Sequence, residues 1–281
     1  MWRFRPRAQP GPVPAQCIEF SEFKWTLVWM IGHLALSLLL ATVYGERRSR
    51  SAVMGGTGKA DAKASRIRDL VAYNILTLFY QSYVAYLGTQ AWFGGHADTI
   101  NGSPHDRLYA STDVTRILFI ATASFELYNT LAVRLLAEYD TYEFIGHHAI
   151  TLLISATGFH PFLHYYGIFF IGVAAISSVP LALIELANIC FPSLTEPLQI
   201  AFCATFVPFR TCYWPLVSYH FWLDIIEALQ AGTVHSVPAA AIFMVANIGL
   251  TLLQWFWSTK IAAGVADKLR SGKSHDLSKD V

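Results

Sequence analysis

Long apolar runs alternate with short polar segments along the whole 281-residue chain. A helix needs roughly 20 mostly apolar residues to cross a bilayer. The pattern therefore predicts seven membrane-spanning helices, at residues 25–44, 70–93, 115–138, 144–159, 161–186, 198–223 and 237–262. Three prolines lie inside spans, Pro180, Pro208 and Pro215, and each should kink its helix. The predicted fold class is an all-α polytopic membrane protein.

The spans divide the chain into five parts. A segment at 1–24 precedes the first transmembrane helix at 25–44, and a basic loop at 45–69 leads into a transmembrane domain at 70–262, followed by a flexible tail at 263–281. The basic loop carries seven Lys and Arg residues, and the chain from residue 260 onwards carries five. Basic loops favour the cytosolic face, so the pattern predicts a lumenal N-terminus and a cytosolic C-terminus. The four basic residues of the first segment oppose this orientation.

Composition agrees with a membrane environment. Hydrophobic residues make up 54% of the chain and charged residues only 14%, with a mean hydropathy of +0.41. A soluble domain carries about 25% charged residues, so a soluble globular fold is excluded. The net charge of +1 gives no support for a nucleic-acid partner. The four cysteines show no paired spacing, which argues against a disulfide framework or a zinc site.

Polar residues inside the predicted spans carry the functional signal. An ionisable side chain at this depth costs a few kcal/mol unless it meets a partner or a wet cavity. Uncharged polar residues at helical spacing have a second interpretation, as hydrogen-bonded contacts between helices. Because several helices carry such residues, we expect a shared internal cavity lined by Glu126, Asn129, Thr151, Ser178, Glu185, Arg210 and Asn247.

Two adjacent histidines, His147 and His148, open the fourth span. Neighbouring side chains on a helix point about 100° apart, so the two rings cannot share one role. Neutral imidazoles near a membrane–water boundary could abstract or relay a proton near neutral pH. They could also simply form hydrogen bonds within the bundle, and the sequence leaves both interpretations open.

The histidine pair belongs to an ordered set of motifs. It comprises Asp140 with the His pair and Thr151, the run at 165–172, the run at 177–180, and Arg210 with Pro215. This set resembles the TLC-domain family, which includes the ceramide synthases and the translocating-chain-associated membrane proteins. The resemblance covers roughly residues 69–262.

The resemblance implies a seven-helix fold in which six helices surround a lipid-accessible tunnel. It also implies His147 and His148 as catalytic candidates, with Asp140 as an orienting carboxylate. The implied reaction is transfer of a fatty acyl group from acyl-CoA, as a co-substrate, to a sphingoid-type amine, without a permanently bound cofactor. Membrane lipids are the implied partners, the endoplasmic reticulum or a related endomembrane is the implied location, and a homodimer stays open.

The chain departs from the ceramide-synthase pattern after the histidine pair. Residues 172–180 contain no acidic residue, and Glu185 is the first acid that follows. The chain is therefore closer to the simpler TLC-domain proteins. We expect a protein that binds or handles lipids and adjusts membrane lipid composition, with N-acyl transfer as the alternative.

Other functions fit the sequence less well. His160 and His164 have the spacing of zinc ligands on a helix, but no third ligand stands nearby, so we predict no metal site. Lys260 lies at the end of the last span, where a retinal Schiff base is not expected.

Overall fold

The computed structural model describes residues 17–49, 58–95, 97–136, 138–139 and 141–277. Within these ranges the regular structure is entirely helical. The α-helices are α1 (Trp25–Ser49), α2 (Gly58–Phe93), α3 (Pro104–Tyr109), α4 (Asp113–Ala132), α5 (Tyr142–Thr157), α6 (His164–Gly167), α7 (Ser178–Cys190), α8 (Thr195–Phe206), α9 (Trp214–Ala231) and α10 (Val237–Leu277).

Two long segments are composite helices. In the α6–α7 segment, a π-helix (Ile168–Gly172) and a 3-10 helix (Val173–Ser177) lie between the two α-helices. In the α8–α9 segment, a π-helix (Val207–Tyr213) contains Pro208, and Pro215 is the second residue of α9. Proline lacks the N–H that the preceding turn would bond, so irregular turns are expected beside it. Irregular turns thus accompany Pro208 and Pro215, and the kinks predicted at the three prolines stay a prediction.

Six helical segments form a closed ring. Around the ring, α2 packs against α4, α4 against α5, α5 against α10, α10 against α9, α8 against α7, and α7 against α2. α1 lies outside and packs against α2 and α4. Four stretches have the length and hydropathy of membrane spans, namely Phe20–Thr42, His164–Cys190, Pro192–Ala231 and Val237–Asp267. The predicted fold class, an all-α polytopic membrane protein, is confirmed.

Several helix boundaries differ from the prediction. α4 ends at Ala132 with a 3-10 turn after it, so the third span stops before residue 138. α2 begins at Gly58 and α10 continues to Leu277, so parts of the predicted loop 45–69 and of the predicted flexible tail are helical. Ala, Lys and Arg all favour helix, but Lys and Arg are polar. A hydropathy window therefore does not detect helical extensions that these residues form.

The two ends of the bundle differ in their packing. At one end, called the closed end here, α3, the 3-10 helix Phe20–Lys24 and the connections at 158–163 and 232–236 cover the ring. The Ile18 amide donates to the Phe159 carbonyl at 2.7 Å, and the Leu163 amide donates to the Leu108 carbonyl at 2.6 Å. The opposite end is called the cavity end. Arg66 and Glu138 form an ion pair there, with 2.7 Å between Nε and Oε1. The closed end is the one predicted to be lumenal.

One close approach holds α2 against the α6–α7 segment. A Cβ atom added to Gly88 would lie 2.3 Å from the Cα of Gly172. No larger residue fits at this contact without a shift of the backbone. The contact fixes α2 beside the π-helix and therefore sets one wall of the interior.

Candidate functional site

Two joined cavities lie inside the ring. The inner cavity has a volume of about 100 Å³ and the outer cavity about 430 Å³. Both are lined by Gln81, His147, His148, Ser178 and Arg210, so these five residues form the junction. The outer cavity extends to the cavity end, where its walls include Tyr139, Phe144, Glu185, Phe202, Trp257 and Lys260.

The structure brings the predicted cavity residues together. Ser178 and Arg210 line both cavities; Glu126, Thr151 and Asn247 line the inner one; Asn129 and Glu185 line the outer one. Asp140, the candidate orienting carboxylate, lies outside the described residues. Their grouping around one space supports a common site, whereas their individual roles stay predictions.

A carboxylate from α4 orients His148 on α5. Oε2 of Glu126 lies 2.6 Å from Nδ1 of His148, and both side chains are buried. The side-chain nitrogen of Asn129 lies 2.7 Å from the same Nδ1 and 3.2 Å from Nε2, and the Tyr73 hydroxyl donates to the Asn129 side-chain oxygen. A carboxylate and an amide thus hold the His148 ring in one orientation.

His147 lies beside His148 in a different environment. The two ring centroids are 5.0 Å apart with an interplanar angle of 74°, and the Trp257 ring lies 5.5 Å from His147. Nδ1 of His147 is buried and has no hydrogen-bond partner among the described residues. The two histidines therefore differ in contacts, as the 100° step between adjacent helical residues requires.

Arg210 projects from the π-helix of the α8–α9 segment. Its Nε donates to the Ser177 hydroxyl at 2.8 Å and to the Ala174 carbonyl at 3.1 Å, and one terminal nitrogen donates to the Ser178 hydroxyl at 2.9 Å. The other terminal nitrogen lies 3.5 Å from the Gln254 side-chain oxygen, a weak contact. All these acceptors are neutral. π-helical turns recur at functional sites because they rotate a side chain out of the α-helical register.

Two of the predicted cavity residues use their polar atoms within the bundle. Asn247 donates to the Ser218 hydroxyl at 3.0 Å and accepts from the Trp222 indole at 3.0 Å. The Thr151 hydroxyl donates to the His147 carbonyl at 2.9 Å. These contacts match the interpretation of such residues as hydrogen-bonded contacts between or within helices.

His164 also uses its polar atoms for contacts within the bundle. Its Nε2 donates to the Gly158 carbonyl at 2.7 Å, and its Nδ1 lies 3.0 Å from the Ser111 hydroxyl and 3.1 Å from that of Thr115. Both ring nitrogens are therefore occupied. No group of three or more metal-ligating side chains occurs in the part of the chain that the structure describes.

Sequence reasoning did not select every residue of the junction. Gln81 was visible as part of a polar stripe on the second span, since it follows Thr77 by four positions. Tyr73 and Trp257 were not visible, because a hydropathy pattern reads aromatic residues as lipid-facing or interfacial. The pairing of Glu126 with His148 joins residues 22 positions apart on different helices, which no local motif contains.

Comparison with known proteins identifies the family. Residues 70–263 match the family model of the TLC domain. No curated protein matches the chain with statistical significance. The matched region contains α4, α5 and the whole junction between the cavities. Because it spans well over half of the 281 residues, the chain belongs to the TLC-domain family.

Proposed function

We propose that this TLC-domain membrane protein binds one chain of a membrane lipid in the outer cavity, with the polar group of the lipid at the junction. The joined cavities carry the proposal. The outer cavity, at about 430 Å³, lies within the range of roughly 300–1,000 Å³ that is usual for ligand sites. By taking lipid from the bilayer or returning it, the protein would adjust membrane lipid composition.

The walls of the outer cavity suit an acyl chain. Leu181, Ala182, Phe202, Phe206 and Ile261 supply apolar surface between the cavity end and the junction. Polar and charged side chains line both ends of this space: the histidine pair and Arg210 at the junction, and Glu185 and Lys260 at the cavity end. An amphiphile placed there buries its chain against apolar walls and keeps its head group hydrogen-bonded.

Acyl transfer is a second candidate, favoured by the contact of Glu126 with His148. In that reaction the imidazole of His148 takes a proton from an amine while the amine nitrogen bonds to the thioester carbon of acyl-CoA. The carbon–sulfur bond breaks, and the thiolate of CoA receives the proton. The products are an amide and free CoA. Glu126 would stabilise the imidazolium that forms in between.

The test uses the full chain in lipid nanodiscs. Native mass spectrometry measures bound lipid, and a parallel incubation with acyl-CoA and a long-chain amine measures amide formation. We compare the wild type with His148→Gln, and with His33→Gln as the matched control. His33 lies on α1, bonds the Tyr128 hydroxyl at 2.8 Å and lines neither cavity.

The outcomes separate the two candidates. Non-covalent lipid bound by the wild type, without amide formation, supports the lipid-binding proposal. Amide formation that His148→Gln abolishes and His33→Gln retains supports acyl transfer. Absence of both bound lipid and turnover in the wild type would overturn both.

A further inference from the structure

Arg210 is a cation enclosed by neutral groups. It lies at the junction of the two cavities, and its partners among the described residues are two serine hydroxyls, one backbone carbonyl and one amide oxygen. It forms no ion pair with any carboxylate among the described residues. A charged group taken out of water without a counter-charge is strongly disfavoured. The site therefore calls for an anion.

The two acids that line the cavities do not provide the counter-charge for Arg210. Glu126 forms its ion pair with His148, with 2.6 Å between Oε2 and Nδ1. Glu185 lines the outer cavity without an ion pair to Arg210. The cavity itself is the space from which a counter-charge can reach the guanidinium.

The guanidinium has donors left for such a ligand. A guanidinium offers five N–H donors. Nε and one N–H of each terminal nitrogen face the described acceptors, which leaves one N–H on each terminal nitrogen. A carboxylate accepts from two such N–H groups at once, in the fork geometry that arginine favours over lysine.

We infer that Arg210 is the recognition residue for the carboxylate of a long-chain fatty acid. This inference rests on the proposed function, because the chain of the acid occupies the outer cavity. The carboxylate lies at the junction, within the same enclosure as His147 and His148. A phosphate can accept from the same two N–H groups, but the inner cavity beside Arg210 has a volume of only about 100 Å³, which suits the smaller, planar carboxylate better.

The experiment measures binding of three amphiphiles with the same chain to the full-length protein in nanodiscs, corrected for empty nanodiscs. The probes are palmitate, hexadecanol and hexadecyl phosphate, at a pH at which palmitate is ionised. We expect palmitate to bind about 10- to 100-fold more tightly than hexadecanol, the range for charge-assisted hydrogen bonds. Hexadecyl phosphate should bind less tightly than palmitate.

Variants test whether Arg210 is responsible. In Arg210→Met, palmitate affinity should fall to that of hexadecanol, while hexadecanol affinity stays unchanged and so reports an intact fold. His33→Gln, which changes a residue outside both cavities, is the control and should keep the preference for palmitate. If Arg210→Met does not fold, the comparison of ligands on the wild type still decides.

Two results would overturn the inference and leave the proposed function standing. One is equal wild-type affinity for palmitate and hexadecanol; the other is tighter binding of hexadecyl phosphate. A preference for palmitate that persists in Arg210→Met would move the recognition to another residue. Failure of the wild type to bind any of the three would overturn the proposed function as well.

Discussion

Two arginines, Arg107 at the closed end and Arg210 at the junction of the cavities, have contrasting partners. Arg107, in α3 at the closed end, donates from Nε and from one terminal nitrogen to the two oxygens of Asp224, at 2.6 and 2.7 Å. Tyr166 donates its hydroxyl to the same carboxylate. Hydrogen bonding to Asp224 raises the pKa of Arg107, which keeps it charged at any physiological pH. Arg210 has no such partner among the described residues.

The partner of each arginine, and not the space around it, makes the difference. Arg107 lines a separate cavity of about 340 Å³ with Trp92 and Tyr166. Near Arg210, the interior contains the two cavities. Both arginines therefore border open space, but Arg107 has its counter-charge in Asp224, whereas Arg210 has none among the described residues. We therefore expect a ligand to supply the counter-charge only at Arg210.

The largest expected effect is at the paired charge. Asp224→Ala should lower the free energy of unfolding by about 3 kcal/mol, the low end for breaking a buried ion pair, because Arg107 is partly exposed. The loss arises because Arg107 and Tyr166 keep their donors but lose the acceptor. Thermal unfolding of the purified protein in detergent measures it.

The matched control replaces both charges. Arg107→Met with Asp224→Leu should recover most of the loss, since apolar residues of similar volume leave no charge without a partner. A single variant as stable as the wild type would contradict the view that the closed end depends on this pair.

A smaller effect is expected from two alanines of α7. Both Ala182 and Ala187 are buried, but only Ala182 lines the outer cavity. Ala187→Leu should cost about 1–3 kcal/mol, because the added atoms enter a filled interior. Ala182→Leu should leave stability nearly unchanged and reduce the amount of bound lipid, because its side chain extends into the cavity.

Unfolding midpoints and native mass spectrometry on the same preparations check this pair. Equal destabilisation by the two variants would show that the outer cavity does not accept added volume. Unchanged lipid binding by a folded Ala182→Leu variant would place the lipid elsewhere.

The sequence predicted the helices better than the contacts between them. Apolar runs and prolines are local signals, so the composite helices at Pro208 and Pro215 could be anticipated. The polar residues at helical spacing indicated a shared cavity, and Glu126 and Arg210 do line one. The resemblance led to Asp140 as the orienting carboxylate, whereas the carboxylate that the described structure places on His148 is Glu126.

Pairings across the ring had no local signal. Arg107 and Asp224 are 117 positions apart, and both lie outside the predicted spans, where a hydropathy pattern gives no information about pairing. For the same reason the sequence does not show that Arg107 has a carboxylate partner and Arg210 has none, because both are arginines near apolar runs. Only the three-dimensional arrangement shows which of the two has a counter-charge.

The smallest expected effect is a pH dependence of the closed end. The rings of His160 and His235 stack there, with centroids 4.1 Å apart and an interplanar angle of 13°. Burial lowers the pKa of both histidines, and the His160 charge lowers the pKa of His235 further. The Tyr109 hydroxyl accepts from the His235 amide at 2.9 Å and holds that residue in place.

Because both pKa values are lower in the folded protein, protonation favours the unfolded state. The two histidines should therefore leave stability unaffected well above about pH 6.5 and reduce it as the pH falls below that value. We expect a lower unfolding midpoint at about pH 5.5 than at about pH 7.5 in the wild type.

His235→Phe keeps an aromatic ring in the stack and should reduce that difference. His105→Phe is the control, since His105 contacts Tyr109 and is not part of the stack, and it should retain the difference. An equal pH dependence in the wild type and His235→Phe would show that the stack does not sense protons, and that the closed end depends on the pair of Arg107 with Asp224 alone.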